Sequence, residues 1–259
     1  MVAVSDDVTL EIEIETLFEQ SIQRQNKLNG EEREPGFHFS GLSYDCLRNI
    51  QYAVMASQSG PVGNEPEGED EEIDMEGLYR MWIGTQLHLT PVTRKHEWKL
   101  MRVVDVDGRP VPVHGSIDEI LERPDGTAVI IDKKFTATVP RTPNPHYMKQ
   151  VEYYCGVYAE QTGAKVEKGA LLYFSPFVGG SYHEKGKERM KVFTFAVDTK
   201  AAVKELDDKV RTVQQAINTG KVVDRTTGWL CRYCKWKQPC EVLSGPVDGQ
   251  MKLDGSAKA

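Results

Sequence analysis

Asp132, Lys133 and Lys134 follow directly on the apolar run Ala128 to Ile131. The run reads as a strand entering a core, and it ends on an acid and two bases, where charge is hardest to accommodate. Side chains alternate along a strand, so Asp132 and Lys134 emerge on one face. Asp118 stands fourteen residues upstream in HGSIDEIL, also behind apolar residues. If the two strands pair through the RPDGT turn, the carboxylates of Asp118 and Asp132 lie close across the sheet. Carboxylates that close repel unless something positive separates them. Their hard oxygen donors suit Mg²⁺ or Mn²⁺. Lys134, a compact point charge aimed at the same place, would position a water or stabilise a developing oxyanion.

Two further pairs accompany this set. Gly84 and His88 form G-x-x-x-H on a segment read as a helix, and Gln150 and Tyr154 form Q-x-x-x-Y, an i,i+4 pair on one helix face. Glu97, at the opening of a strand, is an additional candidate. A separate group is CRYCKWKQPC, which places Cys231, Cys234 and Cys240 in C-x2-C-x5-C spacing. Thiolates so spaced suit a tetrahedral metal or a cluster, and a fourth ligand is required. Cys155 reads as a packed thiol within a helix, which leaves Cys46 as the fourth. Spacing alone leaves both a structural Zn²⁺ and an iron–sulfur cluster open.

The elements that must position these residues are legible in outline. Residues 9 to 28 have the composition of an N-terminal helix. A helix from about residue 43 is expected, with Ser43 as N-cap and Leu47, Ile50 and Val54 at helical spacing. A second runs through EGLYRMWIGTQLHLTPV to Pro91. Two Asp-Gly turns, DVDGRP and RPDGT, separate three strands near 97 to 105, 111 to 121 and 127 to 134, an antiparallel meander. A helix over 145 to 162, a strand in KGALLYFSP, a Gly-rich hairpin and a strand in KVFTFAV follow. The clearest helix carries Val203, Leu206, Val210, Val213 and Ile217, with Gly220 as its C-cap. This order predicts an α/β (α+β) fold, a mixed central sheet flanked by helices. The expected division is an N-terminal helical segment over 1–75, a core over 76–220, and a cysteine segment over 221–259 whose tail after Cys240 reads as disordered.

Composition fits a globular chain, with 39% hydrophobic and 27% charged residues. No apolar run approaches a membrane span, and the acidic N-terminus lacks the features of a signal peptide; a cytoplasmic protein is the expectation. The net charge is −7, but residues 65–76 alone hold eight acids and no base. The remainder sums to +1, so a local basic groove is not excluded. Arg94, Lys95, Arg141, His146 and Lys149 are candidates for phosphate contacts, and Tyr44, Tyr147, Trp229 and Trp236 for base stacking.

Asp118 with Asp132-Lys133-Lys134 resembles the D…(D/E)-x-K signature of a large nuclease superfamily. Taken in order with His88, Gln150 and Tyr154, it resembles the RecB-like branch. With Cys46 upstream and three cysteines downstream it resembles the iron–sulfur nucleases, above all the CRISPR-associated RecB-like exonuclease family and its phage relatives. The resemblance spans about residues 40 to 240. It implies a restriction-endonuclease-like core and a metal-dependent DNA exonuclease, acting on single-stranded DNA from 5′ to 3′. His88, Asp118, Asp132 and the backbone carbonyl of Lys133 would hold Mg²⁺ or Mn²⁺. Lys134 would assist the attacking water, Gln150 would orient substrate or the lysine, and Tyr154 would line the DNA path. Cys46, Cys231, Cys234 and Cys240 would hold a [4Fe–4S] cluster, and partner proteins of a recombination or CRISPR adaptation complex are implied. A non-catalytic DNA-binding scaffold with a Cys₄ zinc site is the alternative.

Overall fold

The computed structural model describes residues 34–59, 84, 86, 91, 93–136, 139–175 and 190–244. The expected helix at 9–28, the acidic run 65–76, His88, the Gly-rich hairpin and residues 245–259 lie outside them.

Three strands form the predicted meander: β2 (Lys95–Val106), β3 (Arg109–Glu122) and β4 (Thr127–Phe135), each antiparallel to the next. Asp107 and Gly108 close the first hairpin with φ of 55° and 78°. Both central residues are thus left-handed, as a two-residue type I′ turn demands. At the second turn the Asp125 carboxylate accepts from the Thr127 backbone N–H and hydroxyl, while Gly126 takes φ of 80°. Pro145–Thr162 forms a long helix (α3) and returns the chain to β5 (Lys165–Phe174), parallel to β4. This is a βαβ unit. β6 (Met190–Ala196) pairs antiparallel with β5. The described sheet runs β1-β3-β4-β5-β6, with β2 on the other side of β3. Its β1 is only Phe37–His38, parallel to β3 at Val113 and His114. A two-residue strand leaves no periodic signal, and none was expected here.

Helices cover the sheet. Short α1 (Phe39–Leu42) and α2 (Leu47–Gln58) precede β2. Ser43 is not the N-cap of α2: that place falls to Cys46, and Ser43 sits in the turn after α1. A preceding helical turn at Phe39–Leu42 displaces the start by three residues. α4 (Thr199–Asn218) buries Val203, Leu206, Val210 and Val213 of the predicted stripe together with Ala202 and Ala216, while Ile217 is half-buried. Thr219 is its C-cap, and left-handed Gly220 follows, with Gly220 and Lys221 donating back to Ile217 and Ala216. The chain then runs without regular structure to a 3₁₀ turn at Trp229–Tyr233 and to α5 (Lys237–Ser244). The tail expected after Cys240 is therefore helical for its first four residues, EVLS.

α3 is buried nearly all round, from Gln150 to Tyr158, because it lies between the sheet and α4. Gly156 permits the closest part of that packing. A Cβ there would stand 2.7 Å from Val203 Cγ2 and 2.8 Å from the Thr199 carbonyl oxygen. Backbone cannot yield as a flexible side chain can, so the clash outweighs the gain of about 1 kcal/mol in helix propensity. Gly156→Ala should therefore lower stability by about 1–3 kcal/mol, read as a lower urea midpoint at unchanged slope.

Candidate active site

β4 is the arm that carries the charges. It pairs with β5 along its whole length, from Thr127↔Lys165 to Phe135↔Phe174. With β3 it registers over four pairs only, from Glu122↔Ala128 to Glu119↔Ile131. Beyond that point the strands part, and side chains make the connection. The Lys133 backbone N–H donates to Asp118 Oδ2 at 2.6 Å. Asp118 thus lies against the β4 backbone at Lys133, the residue after Asp132. Asp132 is 2% exposed. Lys134 Nζ lies 2.7 Å from Asp132 Oδ2 as an ion pair, and faces Gln150 Oε1 at 3.5 Å, the far limit of a hydrogen bond. Burial alone would lower the Lys134 pKa, but the negative charges of Asp132 and Asp118 outweigh it and hold the ammonium above its ordinary value. Lys134 is therefore a persistent cation.

Gln150 and Tyr154 share one face of α3, and Gln150 Nε2 donates to the Tyr154 hydroxyl at 3.0 Å. Tyr154 is buried rather than lining an open path. Its ring packs 5.3 Å from Phe39 and against Gly115, where any Cβ would collide with both rings. It reaches the site through Gln150. At the start of α3, Asn144 caps the helix and His146 stacks on Tyr44 with ring centroids 4.0 Å apart. The Ser43 hydroxyl donates to the Ser40 carbonyl, which leaves its oxygen to accept the His146 Nδ1–H at 2.9 Å. Burial pushes His146 below the ordinary histidine value; a hydrogen bond to the Ser43 backbone opposes this and the charge of Lys134 adds to it. The Lys134 ammonium also sits 4.6 Å over the Tyr147 ring. These aromatics make a wall from the Ser43 turn to Lys134.

Other expectations fare differently. Lys149 is engaged by Glu152 at 2.7 Å and Glu205 at 3.0 Å, and Lys95 by Glu122 at 2.6 Å. Neither is a ready phosphate contact, because a carboxylate already occupies each ammonium. Arg94 and Arg141 are exposed. Glu97 has a left-handed φ of 48°, falls outside the registered β2–β3 pairs, and accepts from Ser116 Oγ at 3.3 Å. His88 is beyond the described residues, but Gly84, which opens the G-x-x-x-H segment, is buried, and a Cβ there would meet the Phe135 ring at the end of β4 at ordinary contact distance.

Sequence reasoning missed what lies behind the site. Lys133 turns its side chain to the opposite face, 1% exposed, where Nζ meets Glu119 Oε1 at 2.9 Å. The Thr93 backbone N–H and hydroxyl donate to Glu119 Oε2 at 2.9 and 2.8 Å. Strand parity held the signal: a lysine between two residues of one face must point to the other, and only an acid of matching parity can meet it there.

The cysteine segment packs on α2. Asn49 Nδ2 donates to Cys234 Sγ at 3.2 Å and Arg48 to Cys240 Sγ at 3.5 Å, while the Gly228 N–H donates to Cys231 Sγ at 3.4 Å. Arg48 also donates to the Val223 carbonyl and the Ser244 hydroxyl, and Gln51 makes reciprocal bonds with Lys221 and Val223. Tyr52 and Trp236 lie with centroids 5.9 Å apart. Cys46 is the N-cap of this helix, so the segment that carries Cys231, Cys234 and Cys240 lies against the helix that Cys46 begins. Cys155 is fully buried, and burial pushes its thiol far above the ordinary range, as befits a packed group. Among the described residues no three His, Cys, Asp or Glu side chains stand close enough together to hold an ion. In donor chemistry the fit is good at both places: carboxylate and carbonyl oxygens for a hard divalent cation, sulfurs with N–H donors for a thiophilic metal or cluster.

No described helix is long and apolar enough to cross a membrane. No curated protein matches the sequence. Among solved structures, one described as "Crystal structure of SSO0001" is similar in fold, with a TM-score of 0.52 at 16% identity over 89% of this chain and 97% of that one. Residues 52–241, the greater part of the chain and all of the sheet-borne charges, match the family described as the PD-(D/E)XK nuclease superfamily. The chain belongs to the PD-(D/E)XK nuclease superfamily.

Proposed function

We propose that this chain hydrolyses DNA phosphodiester bonds at the end of β4. Superfamily membership supports the coarse reading, since its members are generally nucleases dependent on Mg²⁺ or Mn²⁺ and DNA is the implied substrate. The observation that carries the reading for these residues is the convergence of Asp118, Asp132, Lys134 and Gln150 where β3 and β4 part. Asp118, Asp132 and the Lys133 carbonyl would hold the cation, with His88 as a further ligand. Such a cation neutralises charge on the scissile phosphate and acidifies water. Lys134 holds the attacking water and donates to a phosphate oxygen. Gln150 keeps the ammonium aimed, and Tyr154 keeps the amide aimed. Arg94 and Arg141 are free to meet phosphates flanking the cut.

The finer reading is an exonuclease on single-stranded DNA with 5′ to 3′ polarity and a structural [4Fe–4S] cluster on Cys46, Cys231, Cys234 and Cys240. It rests on the likeness to the CRISPR-associated RecB-like exonucleases. The gathering of the cysteine segment on the Cys46 helix supports the cluster. A role as the processing nuclease of CRISPR adaptation or phage recombination follows from the same likeness. The rival is a non-catalytic scaffold with Cys₄ zinc.

Digestion of end-labelled single-stranded DNA in Mn²⁺ tests the site. Lys134→Gln and Asp132→Asn should each slow cleavage by at least roughly 100-fold, the scale of losing one aimed electrostatic group. Wild-type rates in either variant would overturn the assignment. Label position and product length report polarity and end-dependence.

Metal analysis of anaerobically purified protein tests the cysteines. Iron with inorganic sulfide and a broad visible absorbance is expected, and Cys240→Ser should lose both, together with thermal stability. Colourless protein with stoichiometric zinc would decide for the zinc site.

A further inference from the structure

Lys133 is the one residue of the D-x-K triplet whose side chain faces away from the site, and it is among the most deeply buried side chains described. An apolar residue would pack there as well or better, because burying an ion pair seldom stabilises a fold beyond its hydrophobic equivalent. The pair sits at the one place where rigidity matters to the reaction. Registered pairing of β3 with β4 ends at Glu119↔Ile131. From there Lys133 helps hold the strands on both faces, its N–H bonded to Asp118 on the site face and its Nζ to Glu119 on the far face. Asp118 and Glu119 are neighbours on β3, so a roll of that strand that moves one carboxylate moves the other. Lys133 stands between Asp132 and Lys134 and fixes the roll of β4 in the same way.

Glu119 extends the device to a third strand. Its second oxygen accepts both donors of Thr93, whose hydroxyl also donates to the Lys95 carbonyl at 2.7 Å, at the entry to β2. One carboxylate therefore ties β2, β3 and β4 together directly behind Asp118 and Asp132. We infer that the buried Glu119–Lys133 pair, with Thr93 bound to it, is a positioning device that sets the separation of the two aspartates. This rests on the nuclease reading of the site.

The test uses the full chain. Lys133→Met alone leaves Glu119 buried without its cation and should be unstable. The double variant Lys133→Met/Glu119→Leu removes both charges and should recover a urea midpoint near wild type. Positioning predicts that the double variant still binds Mn²⁺ more weakly, by electron paramagnetic resonance titration, and has a lower kcat at unchanged KM for DNA. Each loss should be roughly 10–100-fold, the scale for groups that orient metal ligands. Thr93 is only partly buried, so Thr93→Val should fold whatever the double variant does, and its kcat should fall several-fold at unchanged KM. A stable double variant with wild-type Mn²⁺ affinity and kcat would overturn the inference, as would a fully active Thr93→Val. If the wild-type chain binds Mn²⁺ but cuts no DNA, the nuclease reading fails while the Mn²⁺ comparison still decides the role of the pair.

Discussion

The bond from the Lys133 N–H to the Asp118 carboxylate closes a gap that the sheet itself leaves open. Strands that separate expose backbone groups and lose their mutual register. Here the separation falls between two strands that stay paired on their other sides, β3 against β2 and β4 against β5, so the carboxylates at the gap are held from both flanks. Nearly buried Asp132 would be costly as a lone charge, and Lys134 offsets that cost. With Asp118, Asp132, Glu119, Lys133 and Lys134 counted together, the site keeps one net negative charge. A buried site with that balance favours a small divalent cation, because the net negative charge attracts it.

Charge at the strand end also explains the order within α3. The amide of Gln150 has two ends, and only the oxygen can face an ammonium favourably. Its nitrogen then needs an acceptor, which the Tyr154 hydroxyl supplies. The tyrosine ring in turn is fixed by Phe39 and by the absence of a side chain at Gly115. Orientation passes from the packed core through Tyr154 and Gln150 to Lys134 in three steps. Each step uses a group with one good arrangement, which is what precise placement of a reacting group requires.

Much of this was legible from residue types and parity. Alternation along β3 and β4 places Asp118, Asp132 and Lys134 on one face, and the Asp-Gly turns fix which strands pair. The i,i+4 spacing of Gln150 and Tyr154 sets them on one helical stripe. Other features had no local signal. β1 is two residues long and exists because the chain beside it is already a sheet. Ser43 looks like a helix cap, yet its hydroxyl serves Ser40 and His146, because α1 intervenes. Lys149 carries the charge of a phosphate contact, but α4 delivers Glu205 to it from far along the chain. Composition misassigned the start of the tail for a similar reason: EVLS has no helical stripe of its own, and it is held by Arg48 and Arg225 at Ser244.

The cysteine segment presents the opposite case to the sheet. From Lys221 to Gly228 the chain has no regular hydrogen-bonded structure, and α5 buries none of its residues. What fixes it is side chains of α2, chiefly Arg48, Asn49, Gln51 and Tyr52, reaching across about 170 to 196 positions of sequence. Contacts that distant incur a large loop-closure entropy and bring little apolar burial in return. A bound metal or cluster shared by Cys46 and the three downstream sulfurs would supply the missing cohesion, since its binding free energy counts toward folding. The chain therefore fixes its two groups of donors by different physical means: register and buried charge hold the oxygens of the sheet, and side chains of α2 hold the segment that carries Cys231, Cys234 and Cys240.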